Sequence, residues 1–586
     1  MAKKNNKFVF MFLGMIVGAT LTLGLGLGAY KVYRESKRPK RYIVTPDINK
    51  RYLLPDGSHL YVASSLDRIF KDGNTLVRPT TGKEATLSLA CNEYEAFQVV
   101  VQAGQQPVKS ASLEFSDLVK DNSPATISKK YIFWRVVGYV PTIEPYYPVK
   151  YVGNWPDPLL PPAAMEVNAG TTQPFWVTVY VPKDTAPGFY KGSITYAADG
   201  VSQEIPIQVR VYDFTIPVEG SLKTAFDFYG HQTFKRYPRE DKESDIAYQA
   251  RLASINDQFQ MAMLEYRLNP ILNVDPRNNA ELAAVDKYRV YGLNNFSIGK
   301  RGGTFGNNWP DGSGQIEHLS GEYQTYGEML KLNRFLPYTY IYTWDEGNIG
   351  NPKVAKICSM IHRSYPGLKN MVCYHGFWDP DTNPEWGKDI DIWTFQIDSF
   401  NEALLKKLQR VGKEIWMYVS GPSGQTSPNL IIDGDSIDYR IIPWLCWKYD
   451  IKGFLYWCVN WWPLVDPFKN AKNSDWEQNG NGLLFYPGAD GPMASLRLEI
   501  FRDGLEDYEY TQIFLKKLQA LKKTPMDEAA QRFLNEGIRL LTVDDSIAAS
   551  VYNFTKNGEV LVDRRNAIAE KIEEFNRRFG SIESSK

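Results

Sequence analysis

The chain has 586 residues, of which 43% are hydrophobic and 23% are charged, a balance typical of a globular protein rather than a disordered one. At about 150 residues per domain, and more for barrels and sandwiches, this length accommodates two large domains with smaller additions. Lys plus Arg and Asp plus Glu both number 67, so the net charge is zero, and no basic stripe in the folded part points to a nucleic acid as partner.

The amino terminus carries a basic cluster within its first seven residues, followed by an uncharged apolar stretch from Phe8 to Tyr30. A helix over this stretch, rising about 1.5 Å per residue, crosses the roughly 30 Å hydrocarbon core of a bilayer. A cleaved signal peptide has an apolar core of only about 7–15 residues, which favours a retained transmembrane helix, a signal anchor, within residues 1–30. Gly26 and Gly28 form a small-x-small site where a peptidase could cut, so a cleaved signal segment stays open as the alternative.

Residues 31–55 are predicted to form a basic linker, and an all-β pattern covers residues 56–216. Short hydrophobic runs alternate there with Gly and Pro turns, which predicts an antiparallel β-sandwich. The clearest runs are at residues 85–89, 97–101, 175–181 and 205–211. The segment from Trp155 to Pro162 is too rich in proline for a helix or a central strand, so we expect an ordered loop that wraps an interface.

After Pro217 the pattern changes to short aromatic runs that alternate with segments of helical length. Residues 217–515 contain eight candidate strands, the number in a (β/α)8 barrel. They are predicted at Thr224–Phe228, Leu268–Val274, Asn295–Ile298, Tyr338–Thr343, Asn370–Tyr374, Ile390–Phe395, Glu414–Val419 and Gly453–Trp457. Together the elements predict an α/β fold, in which a TIM-like (β/α)8 barrel follows the β-sandwich and an N-terminal transmembrane helix precedes both.

Helical patterns end the chain. A long amphipathic helix is predicted from about Ser495 to Lys522, and residues 516–586 are predicted to form a C-terminal helical segment. Charged residues recur along the long helix at spacings of three and four, which favours ion pairs within the helix and a structural role. These residues are Arg497, Glu499, Arg502, Asp503, Glu506, Asp507 and Glu509.

The pair Asp345 and Glu346 follows the aromatic run 338–344 directly and precedes Gly347. Residues at the carboxyl end of a barrel strand face the active-site mouth. Two carboxylates held there in different environments can divide the roles of acid and base between them. The structural alternative is that one of the two caps the amino terminus of the next helix.

Polar and aromatic residues at the ends of other predicted strands are candidates for a substrate-binding mouth. They are Tyr229, His231, Asn273, Tyr374, His375, Trp393, Tyr456, Asn460 and Trp461. The densest group lies in the run 456–462, which suits a sugar platform because aromatic rings stack on the C–H faces of sugars. The alternative for each residue is an ordinary place in the core or at the rim.

Motifs for metals and cofactors are missing from the sequence. The five histidines show no His-x-x-x-His spacing, and the five cysteines show no Cys-x-x-Cys spacing. A P-loop, a dinucleotide fingerprint and a Gly-x-Ser-x-Gly elbow are also missing. We therefore expect no metal and no cofactor, and chemistry that comes from carboxylates.

Several motifs carry a resemblance to a known family. In the barrel region they are Tyr342-Thr343-Trp344-Asp345-Glu346, Arg440–Trp444, Gly453–Trp457 and Arg502–Tyr510, and in the amino-terminal half Asn92–Gln98, Pro156–Pro161 and Pro187–Gly192. With these motifs the chain resembles glycoside hydrolase family 123, the bacterial β-N-acetylgalactosaminidases and the wider group once called a domain of unknown function. The resemblance covers roughly residues 56–515, and the block 502–510 is its most specific element.

The resemblance implies a retaining, exo-acting β-N-acetylgalactosaminidase that acts on a glycan by substrate-assisted catalysis. In such a reaction the 2-acetamido oxygen attacks the anomeric carbon and forms an oxazoline, an exception to the scheme with a carboxylate nucleophile. Asp345 then corresponds to the residue that orients and stabilises the amide, and Glu346 to the acid/base. Two alternatives stay open: a glycosidase of another sugar specificity with Asp345 as direct nucleophile, and a non-catalytic carbohydrate-binding envelope protein.

A glycan substrate also bears on where the protein acts. We expect the folded part to lie outside the cytoplasm, on the cell surface or the periplasmic side, anchored by the N-terminal helix, or secreted if that segment is cleaved. The basic flank from Lys31 to Arg41 argues the other way, because charge bias alone would keep it cytoplasmic. The sequence leaves the oligomeric state open.

The anchor is testable by fractionation. If the apolar stretch from Phe8 to Tyr30 is retained, the mature protein should sediment with membranes and resist extraction by high salt, because its attachment is hydrophobic rather than ionic. Recovery of a soluble mature form that begins near Ala29 or Tyr30 would show cleavage instead.

Overall fold

The computed structural model describes residues 48–76, 81–299, 313–347, 352–374, 384–385, 387–421, 427–462, 466–472 and 477–580. Within these ranges, no helix combines the length and the apolar character needed to cross a bilayer. The predicted anchor, residues 1–30, and most of the predicted linker lie outside the described residues, so both stay predictions.

The amino-terminal part of the fold is a β-sandwich. Its strands are β1 (Tyr52–Leu53), β2 (His59–Ser64), β3 (Thr81–Gly82), β4 (Ala85–Cys91), β5 (Glu93–Gln102), β6 (Val108–Phe115), β7 (Leu118–Lys120), β8 (Thr126–Ile127), β9 (Ile132–Pro141), β10 (Asn154–Leu160), β11 (Met165–Val167), β12 (Thr172–Val181), β13 (Gly188–Ala198) and β14 (Val201–Thr215). One sheet has the order β1-β2-β5-β12-β9-β10 with β3 beside β2. The other has the order β11-β6-β13-β14-β4, with β7 beside β13 and β8 beside β7. Alternate Val, Leu and Ile residues of both sheets form a shared core, as the period-two pattern predicted.

The proline-rich segment is a strand rather than a loop. Residues 154–160 form β10, which pairs with β9 and lies at the edge of its sheet. The register shifts between Pro156 and Leu159. An edge strand tolerates prolines because one side of it needs no ladder hydrogen bonds, which the prediction of a loop did not take into account.

The second half of the chain forms a nearly closed parallel barrel. Its strands are β15 (Lys223–Phe226), β16 (Phe296–Ser297), β17 (Thr339–Gly347), β18 (Asn370–Tyr374), β19 (Ile392–Gln396), β20 (Glu414–Val419) and β21 (Gly453–Tyr456). They lie in the order β15-β21-β20-β19-β18-β17-β16, and all pairs are parallel. The predicted order of sandwich and parallel barrel is thus confirmed.

The gap between β15 and β16 is filled by residues 269–274, where the second strand was predicted. Only isolated bridges join this segment to its neighbours, Phe226 to Pro270 and Val274 to Ile298. Pro270 has no N–H to donate, and Asn273 has a positive φ of 51°, so the segment cannot continue as a regular strand. The barrel therefore has eight positions, numbered here from β15 as position one to β21 as position eight.

Helices cover the outside of the barrel and extend beyond it. They are α1 (Gly230–Arg236), α2 (Asp245–Glu265), α3 (Asn279–Val290), α4 (Ser313–Leu332), α5 (Pro352–Ser364), α6 (Glu402–Arg410), α7 (Ser436–Lys448), α8 (Leu496–Lys522), α9 (Glu528–Leu541) and α10 (Glu559–Phe579). A two-stranded sheet, β22 (Phe485–Pro487) and β23 (Pro492–Ala494), precedes α8. Side chains of Ser495 and Asp527 cap α8 and α9 by accepting backbone N–H groups of the first turn.

Alternate residues of the barrel strands belong to two separate cores. The interior cluster of the barrel is Ala225, Ile271, Tyr340, Tyr342, Met371, Cys373, Ile392, Trp416, Tyr418 and Leu455. Residues between them, such as Ile341, Val372 and Met417, belong to the larger core that the barrel shares with the helices. The period-two alternation therefore decides which strand residues can reach the mouth of the barrel.

Helix α8 is buried along most of its length although it carries many charges. Arg497 pairs with Asp157 of the sandwich through two contacts of 2.8 Å. Glu499 accepts hydrogen bonds from Thr178 of the sandwich at 3.1 Å and from Arg502 at 2.6 Å. Buried charges must be paired, so this helix fixes the barrel against the sandwich.

A second group of buried charges continues the same interface. Arg440 lies between Glu95, at 2.9 Å, and Asp507, at 2.8 Å, and Arg565 of α10 reaches both Glu93 and Glu95. Burial alone would raise the pKa of Glu95, but the two arginines outweigh it and hold that pKa below its usual value. Burial raises the pKa of Glu93 to about 8. The C-terminal helices are thus tied to the sandwich by the same network.

The expectation of ion pairs within α8 is corrected by these contacts. Among the pairs seen in the described residues, Glu499–Arg502 joins two positions of the helix. The other charged side chains of α8 that form ion pairs reach partners on other elements, as Glu506 reaches Arg267 at 3.1 Å. Spacings of three and four are compatible with both arrangements, and burial against the sandwich selects the second.

The network predicts an unequal effect of two arginine substitutions. Arg565→Met should lower the free energy of unfolding by about 3–5 kcal/mol, because it leaves Glu93 and Glu95 buried without this partner. Arg532→Met removes an exposed pair with Glu528 on α9 and should change it by less than about 0.5 kcal/mol. Urea denaturation of both variants measures the difference, and equal small effects would contradict the role given to the network.

Candidate active site

Strand β17 carries the pair Asp345 and Glu346, and its pairing with β18 is irregular at two points. The register shifts between Tyr342 and Trp344 and again between Trp344 and Gly347. Each shift adds one residue on β17, as in a β-bulge. Glu346 lies in the second shift and has a positive φ of 41°, an uncommon backbone conformation for glutamate. The end of this strand is therefore built differently from the rest of the barrel wall.

Both carboxylates accept hydrogen bonds from tyrosines of the barrel interior. The Tyr342 hydroxyl donates to Asp345 Oδ1 at 2.6 Å, and the Tyr418 hydroxyl donates to Glu346 Oε1 at 2.9 Å. Asp345 is partly buried and Glu346 is exposed. Because both tyrosines belong to the interior cluster, the two adjacent carboxylates face the same mouth of the barrel.

The tyrosines are themselves fixed. Tyr418 is buried, and burial, reinforced by nearby acidic groups, holds its pKa well above its usual value, so it remains a hydrogen-bond donor. The Tyr342 hydroxyl also lies 2.9 Å from Cys373 Sγ. Thr343, the extra residue of the first shift, donates from Oγ1 to Asn370 Oδ1 at 2.9 Å. These contacts fix the end of β17 against β18.

The opposite side of the mouth carries three aromatic rings, named here the aromatic wall: Tyr229, Trp457 and Trp461. The Trp457 and Trp461 ring centres are 5.5 Å apart, and Tyr229 lies 5.7 Å from Trp461. Buried Asn460 accepts from the Tyr229 N–H at 2.9 Å and donates to the Tyr229 carbonyl at 3.1 Å. The wall follows positions one and eight of the barrel, whereas the carboxylates follow position four, so the two groups lie across the mouth from each other.

Three of the residues predicted for substrate binding lie in the outer core instead. Tyr374, Trp393 and Tyr456 are 4%, 0% and 0% exposed and belong to the core between the barrel and the helices. Trp393 packs against Tyr374 and Phe395 there. The physical reason is strand alternation: their neighbours Cys373, Ile392 and Leu455 point into the barrel, so these three point out.

The remaining predicted binding residues have different surroundings. Asn273 is partly buried in the barrel wall, where its Oδ1 accepts from Ser297 Oγ at 3.2 Å. His231 is exposed beside the aromatic wall, with its ring 5.4 Å from Tyr229. Partial burial and then Lys235 lower the pKa of His231, which favours a neutral ring at pH 7. His375 lies outside the described residues, so its role stays a prediction.

Two residues of the mouth, Tyr342 and Tyr418, were given no role from the sequence alone, and Trp457 was given one only as part of the run 456–462. A signal for them exists in the strand pattern. Tyr342 and Tyr418 are the next-to-last residues of predicted strands, close to the kind of strand end that singled out Asp345. The contact of Tyr342 with Asp345 could not be predicted, because it depends on the first register shift of β17.

The site offers carboxylate chemistry beside an aromatic surface. Within the described ranges, no group of three or more His, Cys, Asp or Glu side chains is arranged to hold a metal ion. One carboxylate is exposed and the other is partly buried, so they meet different environments although they are adjacent. Such a pair can divide proton transfer and charge stabilisation between its members.

Two family models match the chain. The model described as glycoside hydrolase 123, catalytic domain, matches residues 328–514, which include β17 to β21 and most of α8. The model described as glycoside hydrolase 123 N-terminal domain matches residues 79–198 in the sandwich. A search of curated proteins found no match.

Solved structures show the same relationship in three dimensions. A family 123 glycoside hydrolase from Clostridium perfringens, described for glycolipid glycan hydrolysis, has a TM-score of 0.65 at 15% identity and covers 90% of this chain and 100% of its own. A β-glucuronidase from Parabacteroides merdae has a TM-score of 0.24 at 10% identity, covering 72% of this chain and 50% of its own. An endo-β-1,4-mannanase from Thermotoga petrophila has a TM-score of 0.28 at 12% identity, and the match covers 50% of this chain and 77% of the mannanase. The first similarity shows a shared fold, and the other two are too weak to do so.

Proposed function

The chain belongs to glycoside hydrolase family 123, and we propose that it is a retaining exo-β-N-acetylgalactosaminidase that uses substrate-assisted catalysis. Glycoside hydrolysis itself follows from the family. The sugar is the one that the family resemblance implies, and the mechanism is supported by the mouth of the barrel, where adjacent carboxylates share one side. That shared side is the observation that carries the proposal.

The positions of the two carboxylates suit the chemistry of a 2-acetamido sugar. The leaving oxygen, which must be protonated, is on C1, and the acetamido group, which must be oriented, is on C2. The two groups on which the protein acts are therefore on neighbouring carbons. Two adjacent residues at the end of one strand can each contact one of these groups. An enzyme with a carboxylate nucleophile instead places its two carboxyl groups about 5–5.5 Å apart on either side of the anomeric carbon.

Asp345 is proposed to orient the acetamido group. Its Oδ1 accepts the Tyr342 hydroxyl, and since a carboxylate has about four lone-pair sites, Asp345 can also accept the amide N–H of the substrate. As the acetamido oxygen attacks C1 and the C1–O bond breaks, positive charge develops on the amide. A fixed, partly buried carboxylate beside it stabilises that charge. The product of this step is an oxazolinium ion, which becomes the neutral oxazoline when its N–H proton passes to Asp345.

Glu346 is proposed to be the acid/base. It is the exposed member of the pair, it protonates the leaving oxygen as the C1–O bond breaks, and it then takes a proton from the water that opens the oxazoline. The second attack restores the original anomeric configuration, so the enzyme retains it. The aromatic wall across the mouth supplies a face on which a sugar ring can stack.

We propose further that the folded part acts outside the cytoplasm and is held at a membrane by the N-terminal helix. The apolar stretch from Phe8 to Tyr30 supports this, as does a glycan substrate. The family 123 glycoside hydrolase from Clostridium perfringens is described for glycolipid glycan hydrolysis, which is compatible with a substrate at a membrane surface.

The roles of the carboxylates predict different losses on different substrates. Glu346→Gln removes the proton donor, so hydrolysis of glycans with a poor leaving group should fall by about 10²–10⁴-fold, while a nitrophenyl glycoside should lose less in its first step. Asp345→Asn should lower the rate of hydrolysis of both substrates, because stabilisation of the oxazoline does not depend on the leaving group. Steady-state rates of both variants on the two substrates measure this pattern.

The substrate itself distinguishes the mechanisms. The 2-hydroxy analogue should be essentially inert, and a thiazoline mimic of the oxazoline should inhibit competitively. Efficient cleavage of the 2-hydroxy sugar, with a 2-fluoro sugar trapped on Asp345, would establish a direct nucleophile instead. Binding of glycans without cleavage of any glycoside would favour the non-catalytic alternative.

The tyrosines predict a further loss of rate. Tyr418→Phe removes the hydroxyl that holds Glu346 and should lower kcat/KM by about ten- to a hundredfold, since hydrogen bonds to charged groups contribute about 1.5–3 kcal/mol. Tyr196→Phe is a matched control, because it removes a buried hydroxyl in the sandwich, for which no partner is found in the described part of the chain. Comparable rates for both variants would show that Tyr418 does not position the acid.

A further inference from the structure

A loop of the sandwich, residues 142–153, joins β9 to β10 and reaches the mouth of the barrel. The Ile143 N–H donates to Asn479 Oδ1 at 3.0 Å, and Asn479 Nδ2 donates to the Ile143 carbonyl at 3.0 Å. The Tyr147 hydroxyl donates to Asp433 Oδ1 at 2.9 Å. Asp433 and Asn479 lie in the segments that follow β20 and β21, so the loop sits beside positions seven and eight of the barrel.

Tyr146 is the exposed residue of this contact. Its ring is 48% exposed, and its hydroxyl accepts a hydrogen bond from Gln478 Nε2 at 2.7 Å. Gln478 in turn accepts from Asn481, and Asn481 Oδ1 accepts from Trp457 Nε1 at 2.8 Å. A line of hydrogen bonds therefore connects Tyr146 with the aromatic wall.

The same tyrosine is also close to the strand that holds the acid. A Cβ atom on Gly421 would lie 2.9 Å from the Tyr146 hydroxyl, which places that hydroxyl against the backbone just after β20. Tyr418, the partner of Glu346, is three residues earlier, a distance of at most about 10 Å along an extended chain. Tyr146 thus lies at the rim near position seven, whose strand carries the Tyr418 that holds the acid, rather than at the centre of the barrel.

The ring of Tyr146 is held at both ends. Its hydroxyl is bound by Gln478, and its ring packs against the Tyr147 ring in a T-shaped arrangement, with centres 5.4 Å apart and planes at 85°. Tyr147 is buried and anchored on Asp433. A half-exposed aromatic ring that is fixed in this way loses little conformational entropy when it binds a ligand.

We propose that Tyr146 is a specificity-determining residue that stacks against the sugar on the leaving-group side of the scissile bond. The inference rests on the proposed function, because Glu346 defines that side as the one on which the protonated oxygen departs. The ligand class is a glycan with at least one sugar ring beyond the cleaved residue. The sandwich then takes part in substrate specificity, since Tyr146 belongs to a loop of the sandwich and not to the barrel.

The test compares a substrate that reaches the rim with a ligand that does not. Tyr146→Ala in the full-length protein should raise KM about three- to tenfold for an oligosaccharide that ends in β-N-acetylgalactosamine, the range expected for one aromatic contact. Its kcat and the inhibition constant of a monosaccharide thiazoline should stay within about twofold, because both report on the centre of the barrel. Tyr146→Phe keeps the ring and should retain most of the oligosaccharide affinity.

Phe133→Ala is the matched control, because Phe133 is a 40% exposed aromatic at the far end of β9. It should leave both constants unchanged. An unchanged KM for Tyr146→Ala, or an equal loss of oligosaccharide and thiazoline binding, would overturn the inference while leaving the proposed function intact. A wild-type protein that is inactive on the oligosaccharide and does not bind the thiazoline would overturn both.

Discussion

Adjacent side chains on a regular β-strand point to opposite faces, and the proposed site depends on the place where β17 departs from that rule. Two register shifts and the positive φ of Glu346 turn neighbouring carboxylates toward one mouth. Tyr342 and Tyr418 then hold one carboxylate each. Without these shifts, one member of the pair would point into the apolar core outside the barrel, where an unpaired charge is costly.

The buried charges around α8 affect the same site indirectly, although they do not contact it. They keep the sandwich in a fixed position on the barrel, through pairs such as Arg497–Asp157 and Arg440–Glu95. That position brings the loop 142–153 to the ends of β20 and β21. The sandwich is therefore part of the mouth as well as a neighbour of the barrel, and α10 strengthens the arrangement through Arg565.

Much of the fold could be predicted from the sequence because the barrel strands are short, largely apolar and separated by segments of helical length, and Asp345 and Glu346 stood out by their place at a strand end. The direction of side chains could not be predicted in the same way. Trp393 and Tyr374 belong to strands that are apolar on both faces, so the pattern does not tell which residues point inward. Register shifts and pairs between distant elements, such as Arg497 with Asp157, depend on tertiary contacts that local spacing does not encode.

A crystal structure of the protein with a thiazoline inhibitor bound would test the central claim most directly. The account predicts the sugar ring between the carboxylates and the aromatic wall, with Asp345 within hydrogen-bond distance of the thiazoline nitrogen and Glu346 on the anomeric side. Both carboxylates should approach the ligand from the same side of the mouth. A ligand bound elsewhere, or carboxylates on opposite sides of its anomeric carbon, would contradict it.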